Sequence, residues 1–196
     1  MVKEITYFDN PGFQNTDSVI KSVKKRCKEL DIKHVVVASN TGDTGLKFWE
    51  ALKDEDINLV SVTEHVGFSG DDKVFITPKR RKELADKGVR VLMASHILSG
   101  IGRSISNKFG GISHVEIIAH TLRRMGQGIK VTVEISIMAA DAGLIPTDTE
   151  IIAVGGSGKG ADAAAVIKPA HMNNFFDLEI REIIAMPRST EREKYD

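Results

Sequence analysis

The sequence predicts an α/β fold built on a parallel sheet, and three observations carry that expectation. Val35, Val36 and Val37 form an unbroken β-branched run of the kind found in strands buried on both faces. Ser39 to Gly45 follows with only small polar residues and glycines, and a helical pattern begins at about Thr44. A second apolar run, Ile57 to Val62, lies at the separation of a right-handed βαβ crossover, so the two strands are expected to be parallel.

Taken in order, Ile5 to Phe8 reads as a short edge strand that Asp9-Asn10-Pro11-Gly12 ends in a turn. Asn15 or Thr16 then caps a helix whose apolar stripe is Val19, Ile20, Val23, Cys27 and Leu30. The helix from about Thr44 to Leu52 offers Leu46, Trp49 and Ala51 or Leu52 to the core. After a loop at Gly67 to Asp72, Thr77-Pro78 opens a basic helix that Gly88 stops, and Val89 to Met93 gives a third parallel strand. Ser95 to Gly111 is a glycine-dotted segment. Ser113 to Met125 has helical spacing. Val131 to Ile137 alternates like a strand, yet the helix formers of 138–142 and the C-cap glycine at 143 favour a helix over the whole stretch. A strand precedes Gly155 to Gly160, and Asp177 to Met186 is read as a last strand before a charged, disordered tail.

At 196 residues the chain is long enough to bury a sizeable core, and we read 1–196 as a single domain. The 27 basic and 27 acidic side chains balance, which argues against nucleic acid as the main partner. Cys27 is the only cysteine, so an internal disulfide is excluded and a reducing, cytoplasmic setting is expected. On the apolar stripe of its helix it reads as a buried structural residue. No signal-peptide core or spanning apolar window is present, so a soluble protein without a membrane anchor is expected.

The candidate chemistry lies where strands end. In open α/β sheets ligands bind at the carboxyl edge, which is where Ser39 to Gly45, Thr63-Glu64-His65 and the Gly155 to Gly160 loop should fall. Two such Gly, Ser and Thr loops meeting at one edge, with a helix N-terminus, would bind a phosphate through backbone N–H groups. Glycines that merely make turns are the plainer alternative. Ser99, Gly100, Gly102, Arg103 and Ser104 could line the same edge, with Arg103 as the best cation, although a salt bridge or solvated helix position explains it more cheaply.

Other motifs exclude more than they include. Gly156, Gly158 and Ala161 imitate a dinucleotide fingerprint, but Pro169 leaves too little chain for a helix and a returning strand. Lys159 is followed by Gly160, not by the Ser or Thr of a triphosphate loop. His114 and His120 are six apart and do not share a helix face as metal ligands would, so no metal is expected. Glu134 and Asp141, seven apart, read as acid/base partners or, more cheaply, as surface charges. Asp43 stands against a phosphate on its own helix end, because a carboxylate there repels a dianion.

The order helix, strand, Thr41-Gly42-Asp43-Thr44-Gly45, helix, strand resembles the C-terminal effector domain of pyruvate kinase, where the loop reads Ser-Gly-Arg-Ser-Ala. The Gly155 to Gly160 loop is similar to that domain's second glycine-rich turn. Both clasp a sugar phosphate in the regulated kinases, and Asp43 here replaces the arginine. The catalytic barrel has no counterpart, so kinase activity does not carry over. The whole chain looks most like a stand-alone, mainly archaeal family of pyruvate-kinase C-terminal-domain-like proteins without an assigned function.

That resemblance implies a three-layer α/β/α sandwich with a mostly parallel sheet and a phosphate-bearing small ligand, with flavin mononucleotide (FMN) as the leading identity. The implied site comprises Ser39, Asn40, Thr41, Gly42, Asp43, Thr44 and Gly45 for the phosphate, with Thr63, His65, Gly67, Arg103, Gly156, Ser157 and Gly158 around it. The protein would then be a sensor or carrier, or flavin-dependent. One alternative is an enzyme on a sugar phosphate or nucleotide, using His65, Arg103 or Lys159. Another is an oligomeric interaction module, a homo-oligomer with no ligand.

Overall fold

A computed structural model describes residues 2–189. Its elements are β1 (Thr6–Phe8), α1 (Thr16–Leu30), β2 (His34–Ala38), α2 (Asp43–Leu52), β3 (Asn58–Thr63), α3 (Pro78–Asp86), β4 (Arg90–Met93), α4 (Ile101–Phe109), α5 (His114–Leu122), α6 (Gln127–Asp141), β5 (Ile151–Gly155), β6 (Ala163–Lys168) and β7 (Glu179–Pro187). The strands form one seven-stranded sheet in the order β1-β7-β6-β5-β2-β3-β4. Pairings are parallel except those of β6, which runs antiparallel to both β5 and β7. The expected mostly parallel α/β sheet is therefore present. The charged tail lies outside the described residues.

Strands buried on both faces need cover on both, and alternation along each strand supplies two cores. Val35 and Val37 point with Ile152 and Val154 toward α1, α2 and α3, meeting Val19, Val23, Phe48, Leu52 and Leu84. Val36, Val60, Ile151 and Ala153 point the other way, against Val133, Ile137 and Ala140 of α6. Three layers result. On α2 the core side chains are Phe48, fully buried, and the expected Leu52, while Leu46 and Trp49 only pack at the margin. Trp49 lies half-out because its indole N–H donates to the Lys87 carbonyl at 3.0 Å.

Helix α6 spans the ambiguous stretch as one helix. Its β-branched residues are tolerated because it is buried almost all round, where packing outweighs intrinsic propensity. Thr132 and Ser136 satisfy their buried hydroxyls internally by donating to the Ile129 and Thr132 carbonyls, each at 2.7 Å. Glu134 and Asp141 do not form a carboxylate pair. Glu134 is buried against the Lys130 ammonium, and Asp141 instead accepts from the His171 ring and the Met172 N–H. Cys27 is buried in the first core, as its place on the stripe predicted. Among the described residues no helix is long and apolar enough to cross a membrane.

Two segments to which the sequence assigned no element are regular. The glycine-dotted stretch contains a regular helix, α4, with no buried residue of its own. The Ala-rich run after the second glycine loop is strand β6, which returns antiparallel beside β5 and so rules out a βαβ dinucleotide unit there.

Candidate functional site

Because β2, β3, β4 and β5 point the same way, the loops that follow them share one edge of the sheet. The loop after β2 is closed on itself. Ser39 is buried, and its hydroxyl accepts the Gly45 N–H at 3.0 Å, while Gly42, at φ +88°, turns the chain into α2. Thr63 donates to the Asn40 carbonyl at 2.8 Å, and Thr41 donates to Asp43 at 2.8 Å. Asp43 is paired with Arg80 of α3 at 2.9 Å, and Thr44 is buried at the helix start. A Cβ on Gly45 would lie 2.7 Å from the Ser61 hydroxyl, so this glycine lets α2 approach β3.

The second glycine loop is also filled from within. Asp162, fully buried, accepts the N–H groups of Gly12 and Ser157 at 2.9 and 3.1 Å. A carboxylate of the chain itself thus occupies two donors that an external anion would use. Gly156 packs on the Gly160 carbonyl, and Gly158, at φ +145°, faces open space beside the exposed Lys159.

The open space at this edge lies elsewhere, between the β3–α3 loop and α4, as a cleft of about 490 Å³. His65 and Phe68 line one wall; Ser99, Arg103, Ser104 and Lys108 line the other. Of the residues the sequence nominated, His65, Gly67, Ser99, Gly100, Arg103 and Ser104 line this cleft. Ser39 to Gly45, Thr63 and Gly156 to Gly158 do not. Phe68 and Lys108 escaped notice because a loop aromatic and a helix lysine carry no periodic signal; the Gly-Phe-Ser-Gly string at a strand's carboxyl end was the available hint.

The rings of His65, Phe68 and His96 pack edge to face, with centroids 4.8 to 5.6 Å apart. Arg103 sits over Phe68, 5.5 Å from its centroid. Among the described residues no carboxylate forms an ion pair with Arg103 or Lys108. Arg103 is therefore not bridged among the described residues; it is exposed, with its guanidinium over Phe68. Burial pushes the His96 imidazole down to about 4; Glu134 opposes this, while Lys130, His65 and Arg103 add to it. Burial likewise lowers Lys130 and raises the Glu64 carboxyl, the latter against a hydrogen bond from Asn40. The site is thus cationic on one wall and aromatic on the other.

Among solved structures, the chain is similar to the Cryptosporidium parvum pyruvate kinase described in complex with ADP, at 15% identity and a TM-score of 0.41. That likeness covers 77% of this chain and 23% of the kinase, so the chain spans about a quarter of the kinase's length. The family model for the pyruvate kinase alpha/beta domain matches residues 17–168, from α1 through β6, and the chain belongs to that family.

Proposed function

We propose that the protein binds a phosphate-bearing small molecule in the cleft between the β3–α3 loop and α4, with FMN as the leading identity, and acts as a carrier, a sensor or a flavin-dependent protein. The observation that carries this reading is the pairing of an aromatic wall, His65 and Phe68, with two cations that have no ion-pair partner among the described residues, Arg103 and Lys108, across one cleft. A nucleotide has the same two parts, a flat ring and a phosphate. The volume, about 490 Å³, falls within the range of small-molecule sites. In a chain with no net charge, leaving two cations unpaired in one cleft favours an anionic occupant.

The test is to purify the native protein, record its visible absorbance and identify bound phosphate compounds by mass spectrometry, then titrate the stripped protein with FMN. Saturable binding supports the reading. A protein that carries no phosphate compound and leaves FMN fluorescence unchanged at every concentration sinks it.

A second reading, an enzyme acting on a sugar phosphate or nucleotide, draws on the position of His65 beside Arg103 in the same cleft. Lys159, in the other loop, does not line it. Turnover that survives alanine at both His65 and Arg103 would end that reading.

A further inference from the structure

The N-terminus of α4 opens onto the cleft without a cap. Gly100 precedes it with φ +64° and ψ −124°, contributes no side chain, and no acidic residue stands in the first turn. The first N–H groups of an α-helix have no intrahelical acceptor, and the helix dipole makes that end electropositive. A second, independent feature points to a ligand there. Ser99 is only 9% exposed, lines the cleft, and its hydroxyl has no hydrogen-bond partner among the described residues. A serine nine-tenths buried, whose hydroxyl is left open to the cleft it lines, is placed to donate to an oxygen acceptor bound there.

Resting on the proposed function, we propose that Ser99 to Ser104 is the anion subsite of the cleft and takes the phosphoryl group of the ligand. The first-turn N–H groups of α4 and the Ser99 hydroxyl donate to the phosphoryl oxygens, and Arg103 adds a charge-assisted contact. Stacking on Phe68 holds the guanidinium on the cleft wall before a ligand arrives. The phosphate is thereby assigned away from the loop after β2, where the Ser39 hydroxyl already takes a helix N–H and Asp43 places a carboxylate at the helix start. The aromatic body of the ligand falls to the His65 and Phe68 wall.

The experiment measures binding of FMN, of riboflavin, which lacks the phosphate, and of inorganic phosphate to the full chain and to Arg103→Glu, Ser99→Ala and Thr41→Glu. A glutamate in the first turn suits a helix, so Arg103→Glu should fold, and a thermal melt checks this. Arg103→Glu should weaken FMN and phosphate by roughly tenfold or more while riboflavin changes by less than about threefold. Ser99→Ala should weaken FMN by roughly threefold to tenfold.

Unchanged FMN affinity in Arg103→Glu overturns the subsite and leaves the flavin reading standing. Phosphate that binds through Arg103 when FMN does not bind overturns the flavin identity and keeps the subsite. If Thr41→Glu weakens phosphate and Arg103→Glu does not, the anion lies on the loop after β2 and the subsite is wrong. A wild-type protein that binds neither probe overturns both proposals.

Discussion

Glu134, on the buried helix α6, accepts the backbone N–H of Leu98 at 3.0 Å and so ties the β4–α4 loop, one residue before Ser99, to the sheet's second core. Its other oxygen meets the Lys130 ammonium one turn back on the same helix, and both side chains are almost wholly buried. A buried ion pair contributes little net stability, but removing one partner strands the other. Glu134→Ala should therefore cost about 3–5 kcal/mol in urea unfolding. The double variant Lys130→Met with Glu134→Leu should be less damaged, since no charge is left unpaired. A Glu134→Ala protein within about 0.5 kcal/mol of wild type would show that the loop is held by other contacts.

The same residue shows how much the sequence discloses. Its spacing placed Glu134 on a helix face with Asp141, but spacing does not say which face is buried, and α6 is buried nearly all round. The parallel half of the sheet is legible because doubly buried strands carry β-branched runs, as Val35 to Val37 do. Strand β6 is not, because Ala163 to Ala165 carry weak strand signal, and Ala163 lies so close to α6 that a Cβ on Gly128 would come within 2.5 Å of its methyl.

The site divides the same way. The carboxyl edge follows from strand order, and Ser39 to Gly45 does sit there. Within it, however, the Gly45 N–H goes to Ser39, the Asp43 N–H to Thr41 and the Thr41 hydroxyl to Asp43, which no motif could announce. The cleft depends on where α4 comes to rest against a long loop, a tertiary outcome.

Protonation of His96 should give stability a measurable slope in mild acid. Its imidazole is held down to about 4 in the folded chain, mainly by burial, against about 6.5 when unfolded. Below pH ~6.5 the unfolded chain binds the proton first, so the contribution is complete above ~6.5 and is lost as pH falls toward 4. The loss is on the order of 3 kcal/mol. His34, also lowered by burial, acts in the same direction, and Glu64, raised by burial, acts in the opposite one. The readout is therefore the difference between wild type and His96→Gln in urea midpoints across this window. Parallel pH profiles would place the slope on other groups.

Cys27 should behave as an inert thiol. Burial pushes it up to about 12, with the Glu55 charge adding to the effect, so almost no thiolate exists at neutral pH. The native protein should react with a thiol reagent at least about a hundredfold more slowly than a free cysteine, and at the ordinary rate in urea. Rapid labelling without denaturant would mean that α1 opens locally far more often than its packing allows.

Gly45 and Ser61 form the tightest test of why this loop contains glycine. A Cβ at position 45 would stand 2.7 Å from the Ser61 hydroxyl and 3.2 Å from its Cβ, inside van der Waals contact. Ser61 is fully buried on β3, and its hydroxyl has no hydrogen-bond partner among the described residues, so it contributes bulk and an unsatisfied polar atom. Gly45→Ala alone should cost about 1–3 kcal/mol through overpacking, despite alanine's better helix propensity. Ser61→Ala alone should be neutral or mildly stabilising, because it removes the unsatisfied group without opening a large cavity. In combination, Ser61→Ala should recover more than half of the Gly45→Ala loss, because the nearer contact disappears and a 3.2 Å approach can relax by a few tenths of an ångström. The double-mutant cycle in urea unfolding measures that coupling directly. Strict additivity would mean that the cost of a Cβ at position 45 does not come from its approach to Ser61.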